Sequence, residues 1–146
     1  MIYLAQYTNV FVQQIAANAN AVFSETPVAG SNCIVHREGS GIITLRGITS
    51  QCRARYLVTF NGNIAIPTGG TVGPISIAIA LEGEPLGSAT ATVTPAAVGD
   101  EFHVSMSTYA DVLKGCCVTV SVKNVNAQTI ELQNASMIVT RVTRVC

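Results

Sequence analysis

Period-two alternation runs through most of this chain, and helical periodicity is hard to find. Residues 74–83 read P-I-S-I-A-I-A-L-E-G, with Ile75, Ile77, Ile79 and Leu81 pointing one way and Ser76, Ala78 and Ala80 the other. The large side chains suit a core, and the small ones suit close approach by a second layer or subunit. A turn beginning at Gly83 leads into a strand over residues 89–93, which predicts a hairpin. Further strands are predicted over residues 41–46, 54–61, 102–112, 118–123 and 129–142. In the second of these Tyr56, Val58 and Phe60 alternate with Arg55, Leu57 and Thr59; the last is apolar on both faces at Met137-Ile138-Val139, like a doubly covered central strand. Turn signals at Asn61-Gly62 and at residues 68–70, 95–100, 114–115 and 125–128 separate the strands. About eight to ten short strands with such turns predict an all-β fold, an antiparallel jelly-roll sandwich with an N-terminal arm.

The arm, residues 1–22, is the compositional outlier ahead of a jelly-roll domain over residues 23–146. It carries no charge and is rich in amides, and Tyr3, Tyr7 and Phe11 are three of the eight aromatic residues. It lacks the basic start of a secretory signal peptide. An apolar, uncharged arm reads as an attachment or strand-exchange segment, with Tyr3, Tyr7 and Phe11 as its candidate contacts.

Composition sharpens this picture. The chain is 49% hydrophobic but only 11% charged, against about 25% charged in an ordinary domain. Either it belongs in a membrane or other subunits cover much of its surface. The longest charge-free internal run, residues 56–81, is broken by Pro67, Gly69, Gly70, Gly73 and Pro74; a spanning helix needs about 20 unbroken apolar residues. Burial in an oligomer is the better account. A net charge of zero and only two lysines, Lys114 and Lys123, argue against nucleic acid as a partner.

Candidate chemistry concentrates in H-R-E-G-S-G, residues 36–41. Ser40 and His36 lie within reach across a tight turn, but no G-x-S-x-G elbow or third orienting group accompanies them. The structural alternative is stronger: Arg37 and Glu38 form ion pairs within or between protomers, and Gly39-Ser40-Gly41 turns the chain. Cys33-x-x-His36 has the spacing of metal ligands without a second half to complete the site. No catalytic residue, metal or cofactor is therefore expected. The five cysteines read as mostly reduced, buried thiols.

The order of segments resembles a known group. Residues 34–47 (I-V-H-R-E-G-S-G-I-I-T-L-R-G), 52–67, 73–85, 94–98 and 115–124, with the apolar last strand, look like the trimeric jelly roll of tumour necrosis factor and complement heads. The run from HREGSG through CRARY is most similar to head-fibre and capsid decoration proteins of phages infecting Firmicutes. The resemblance implies a homotrimer that buries one sheet's apolar face between protomers, with Arg37, Glu38, Tyr56, Phe60, Phe102 and Val139 as candidate interface residues. It also implies an arm attached to the major capsid protein or another virion component. The expected function is a non-enzymatic virion structural protein on the capsid exterior, made in the bacterial cytoplasm and needing no membrane. The alternative is a receptor- or glycan-binding tip whose exposed loops, such as residues 68–72 or 95–100, touch a host surface.

Overall fold

The alternation resolves into strands throughout, and the described residues, 3–142 of the computed structural model, contain no helix. In chain order the strands are β1 (Leu4–Asn9), β2 (Gln13–Ile15), β3 (Glu25–Val28), β4 (Ile34–His36), β5 (Ile43–Arg46), β6 (Arg53–Ala65), β7 (Ile75–Leu81), β8 (Glu84–Val93), β9 (Phe102–Leu113), β10 (Cys117–Asn124) and β11 (Ile130–Val142). A six-stranded sheet has the order β3-β1-β11-β6-β9, with β2 also paired to β11; the facing five-stranded sheet runs β4-β5-β10-β7-β8. All pairings are antiparallel. The predicted all-β jelly-roll sandwich is the fold observed.

The segment expected as an arm is built into the sandwich. β1 lies between β3 and β11, in register from Leu4 opposite Thr140 to Asn9 opposite Ala135. Ala5, Tyr7 and Asn9 face inward and are buried, while Leu4, Gln6 and Thr8 face out. The alternation is present, but amides and threonine on the outward phase weaken it, and the segment reads as an arm instead of a strand.

Between the sheets sits one core, whose largest fully buried side chains include Tyr56, Phe23, Phe60, Ile64 and Ile77. Phe23 and Phe60 meet edge to face, with ring centroids 6.3 Å apart. Tyr56 ties the two sheets together: its hydroxyl donates to the Arg46 carbonyl on β5 at 2.7 Å.

β6 runs straight through Asn61-Gly62, which is not a turn. Opposite it, β11 carries a bulge: Gln133 pairs with Asn63 and Ser136 with Asn61, so one extra residue enters β11. Asn134 takes positive φ within this bulge. The bulge switches the inward phase of β11 from Ile130 and Leu132 to Ala135, Met137 and Val139. Gly62 accommodates it, because a Cβ there would come within 2.8 Å of Leu132 Cδ1. The same glycine that reads as a turn signal is a close-approach position in mid-strand.

At the end of the molecule where β6 leaves its sheet, Asn124 is fully buried and organises three segments. Its Nδ2 donates to the carbonyls of Ile15 (2.8 Å), Ala16 (3.2 Å) and Gln128 (2.9 Å), and its Oδ1 accepts from the Asn126 backbone N–H at 2.9 Å. Asn126 in turn brackets Ser76, accepting from its N–H and donating to its carbonyl, both at 2.8 Å. These bonds satisfy backbone groups that no strand partner reaches.

Candidate oligomer interface

A strand buried on one side presents its other phase outward, and on the six-stranded sheet that phase is unusually apolar at its centre. Register aligns Tyr109 (β9), Leu57 (β6), Thr140 (β11) and Leu4 (β1) in one row. The next row holds Ser107, Thr59, Ile138, Gln6 and Val28. Tyr109 is 61% exposed, and Leu4, Ile138 and Val28 are exposed as well. At about 3.4 Å per residue and 4.8 Å between strands, the long β6, β9 and β11 with the shorter β1 and β3 make a face of roughly 800 Å², the size of a standard protein–protein contact of about 800 Å² per partner.

One edge of this face carries its charge. Asp111 accepts two bonds from Arg55, Nε at 2.7 Å and Nη2 at 2.9 Å, and a third from Arg53 Nη1 at 3.3 Å. The Arg55 bonds hold the Asp111 carboxyl below its ordinary range, with Arg53 adding to the effect. Two guanidiniums share one carboxylate, so the cluster keeps a net positive charge, and among the described residues Arg53 Nε is buried without a partner.

The residues expected at a subunit interface lie elsewhere. Tyr56, Phe60 and Val139 are fully buried between the sheets of a single chain, on the inward phase of β6 and β11, and are not accessible to a partner. Phe102 also belongs to the inward phase and is half-exposed only because β9 begins there, at the open end of the sandwich. Arg37 and Glu38 are exposed on the β4–β5 hairpin of the other sheet, and among the described residues neither forms an ion pair. Hydrophobicity alone selects the core phase; the signal that was missed is apolar bulk out of phase, in Leu57, Tyr109 and Ile138.

Of the attachment candidates, Tyr7 packs in the core against the His36 ring, with centroids 4.4 Å apart. Tyr3 is half-buried beneath the Arg141 guanidinium, 5.5 Å from its ring centre. Only Phe11 projects, 73% exposed between exposed Val10 and Val12 on the β1–β2 connection. The base of this apolar tip is fixed: Asn9 Oδ1 accepts from the Phe11 N–H at 3.3 Å, and the Gln13 amide brackets Val22, with bonds of 2.9 and 3.0 Å.

The HREGSG turn is a structural latch. His36 Nε2–H donates to the Ser40 carbonyl at 2.8 Å, while the Ser40 hydroxyl accepts from the Ile42 N–H at 3.0 Å. Histidine and serine hydroxyl are thus not joined as base and nucleophile. Gly39 takes φ +86°, which bends the chain so that its N–H reaches the Phe23 carbonyl at 2.9 Å. Cys33 Sγ lies 3.0 Å from Ser31 Oγ, and no three His, Cys, Asp or Glu among the described residues are grouped to hold a metal. The cysteines depart from expectation: Cys33 is a buried thiol, Cys116 and Cys117 are exposed thiols, and Cys52 is disulfide-bonded.

Sheet order, register and the single inter-sheet core together define a jelly roll of the tumour necrosis factor and complement C1q type. Solved structures of similar fold include murine APRIL, with a TM-score of 0.67 and 10% identity over 97% of this chain and 100% of that one. Eiger TNF from S. frugiperda aligns with a TM-score of 0.62 at 10% identity, over 100% of this chain and 94% of that one. The globular domain of zebrafish complement 1qA gives 0.58 at 8% identity, covering 98% of each chain. The likeness is one of fold. No protein-family model matches the sequence, and no curated protein matches it.

Proposed function

We propose that this chain is a non-enzymatic structural protein that works as a homotrimer, with the outward face of its six-stranded sheet packed against its copies. The observation that carries this reading is the row Tyr109–Leu57–Thr140–Leu4, apolar bulk placed where the pleat would otherwise favour solvated side chains. A chain 49% hydrophobic and 11% charged gains by covering that face, and trimeric packing is what a jelly roll of this type implies. Native mass spectrometry of the full chain tests it: three times the chain mass is expected at micromolar concentration, and a monomer at tens of micromolar overturns it.

Within that reading the trimer is a head fibre or decoration protein on the exterior of a phage capsid, assembled in the bacterial cytoplasm and bound to the major capsid protein. Support comes from the similarity of the HREGSG-to-CRARY run to such proteins and from the rigid tip formed by Val10, Phe11 and Val12. That tip replaces the N-terminal arm as a whole as the attachment element. Phe11→Asp leaves the core untouched and is expected to abolish co-sedimentation of the trimer with capsids; unchanged co-sedimentation refutes attachment through the tip.

A further inference from the structure

The end of the sandwich opposite the Arg53–Arg55–Asp111 cluster holds a cavity of about 420 Å³, within the range of roughly 300–1,000 Å³ common for small-molecule sites. Its walls come from three elements: Gln14 on β2, the β6–β7 loop with Pro67, Thr68 and Thr71, and the β10–β11 turn with Gln128 and Thr129. We infer that this cavity binds a neutral saccharide, a single pyranose unit of a free sugar or of a glycan chain.

The cavity is rigid before any ligand arrives. Gln128 brackets Thr71 like a strand partner, Oε1 accepting from the Thr71 N–H and Nε2 donating to the Thr71 carbonyl, both at 2.9 Å. The Gln128 carbonyl is itself held by buried Asn124 at 2.9 Å, and Gly70 N–H closes a turn onto the Pro67 carbonyl at 2.9 Å. A ligand entering such a site does not have to order the loop, which removes a large part of the usual cost of binding.

The polar groups left over define the ligand. Thr68, Thr71, Thr129 and Gln14 line the cavity, and among the described residues their side-chain hydroxyls and amide make no hydrogen bond within the chain. Each hydroxyl both donates and accepts, as does the amide, which matches the adjacent hydroxyls of a sugar and not a pure acceptor. No charged side chain lines the walls, so an anion finds no counter-charge. The carboxylate-bearing Glu131 stands directly opposite Gln14 in the β2–β11 ladder, which further disfavours anionic sugars. Pro67 is buried beneath the loop, and without an aromatic platform the affinity for one unit is weak.

The test uses the full chain and amide-resolved NMR, with methyl α-glucoside, methyl α-galactoside and N-acetylglucosamine as probes and N-acetylneuraminic acid as the anionic comparator. At least one neutral sugar is expected to shift the Gly69, Gly70, Thr71 and Thr129 amides with Kd of about 1–10 mM. Thr71→Val with Thr129→Val removes two hydroxyls at constant shape and is expected to weaken binding about tenfold. Gln14→Ala, on an exposed strand position, serves as the second variant and decides the matter if the valine pair loses its dispersed spectrum. The inference is overturned if no neutral sugar shifts these amides at about 50 mM, a concentration well above millimolar Kd. It is equally overturned if N-acetylneuraminic acid binds as tightly as the neutral sugars, or if a folded variant binds as the parent does. The cavity and the charged edge of the assembly face lie at opposite ends of the 13-residue β6, so a negative result here leaves the trimer reading standing.

Discussion

Tyr109→Ala isolates the assembly face from the core. The ring is 61% exposed in the single chain, and an aromatic side chain buries roughly 200 Å² when covered. Covering what is exposed removes about 120 Å² per protomer, up to about 3 kcal/mol at roughly 25 cal/mol per Å². Side-chain ordering and desolvation of the phenol reduce this to about 2 kcal/mol. A trimer contains the contact three times, so its dissociation free energy falls by about 6 kcal/mol. The midpoint concentration of a one-to-three equilibrium scales with the square root of its constant, which gives a rise of roughly 150-fold. Sedimentation velocity across a concentration series reads that midpoint. The monomer should fold normally, because Tyr109 lies outside the core. Exchanging the charges of Arg37 and Glu38, on the other sheet, should leave association unchanged. If the parent and Tyr109→Ala follow the same association curve, the outward face of the six-stranded sheet is not the interface.

Three further outcomes follow from the interior and the charged edge. Tyr56→Phe removes the donor to the Arg46 carbonyl and should cost about 1 kcal/mol in chemical denaturation. Burial raises the Tyr56 phenol pKa, so the stability tied to its neutral form is complete below the unfolded value of about 10 and declines as pH rises beyond it; Tyr56→Phe should flatten that alkaline loss. Asn124→Ala leaves the Ile15 and Gln128 carbonyls without their partner and should lower stability by about 3 kcal/mol, seen as a fall in Tm of roughly 10 °C. Asn124→Asp keeps the shape, loses the donors and should do no better. Asp111 is shifted the other way, its carboxyl pKa lowered by the Arg55 bonds. The stability it contributes is present above the unfolded value of about 3.9 and fades as pH falls through the lower folded value, a dependence that Asp111→Asn should remove from an acid titration followed by circular dichroism.

How much of this was legible depended on whether a residue's period matched its environment. β7 and the β7–β8 hairpin were readable because Ile75, Ile77 and Ile79 alternate without interruption and Gly83 sits in the turn. β1 was not, because its inward phase, Ala5, Tyr7 and Asn9, includes a small and a polar residue, so period two carries little amplitude. β2 and β4, of three residues each, are too short for any alternation to register. The apolar triplet Met137-Ile138-Val139 suggests a doubly covered strand: Met137 and Val139 are buried between the sheets, and Ile138 is the outward member, 38% exposed in the single chain and part of the proposed assembly face. For a related reason three of the candidate interface residues, Tyr56, Phe60 and Val139, fall on the buried inward phase. Within one chain the largest apolar residues define the core, so a second apolar face shows only as residues out of step with it. Separating the two needs the register that places Leu57 beside Tyr109 and Thr140.

The polar residues of this charge-poor chain follow a division of labour that links the fold to both functional readings. Those inside or near the core, His36, Asn124, Asn126 and Gln128, bond mostly to backbone of loops and strand ends, and so fix loops. HREGSG belongs with them: its histidine closes a turn, and its arginine and glutamate are exposed and, among the described residues, form no ion pair. Among the described residues, the side chains of Thr68, Thr71, Thr129 and Gln14 share one end without partners inside the chain, while outward apolar bulk gathers on the face carrying Leu57 and Tyr109. Surfaces unsatisfied in opposite ways call for different occupants. An apolar face is satisfied by copies of the same flat sheet, and a rigid ring of hydroxyls by a ligand rich in hydroxyls. Because both rest on loops and strands already locked by backbone bonds, assembly and ligand binding should be separable: Tyr109→Ala ought to abolish the first at concentrations where the sugar-induced shifts persist. A loss of both in a folded Tyr109→Ala monomer would show instead that the cavity exists only within the assembled particle.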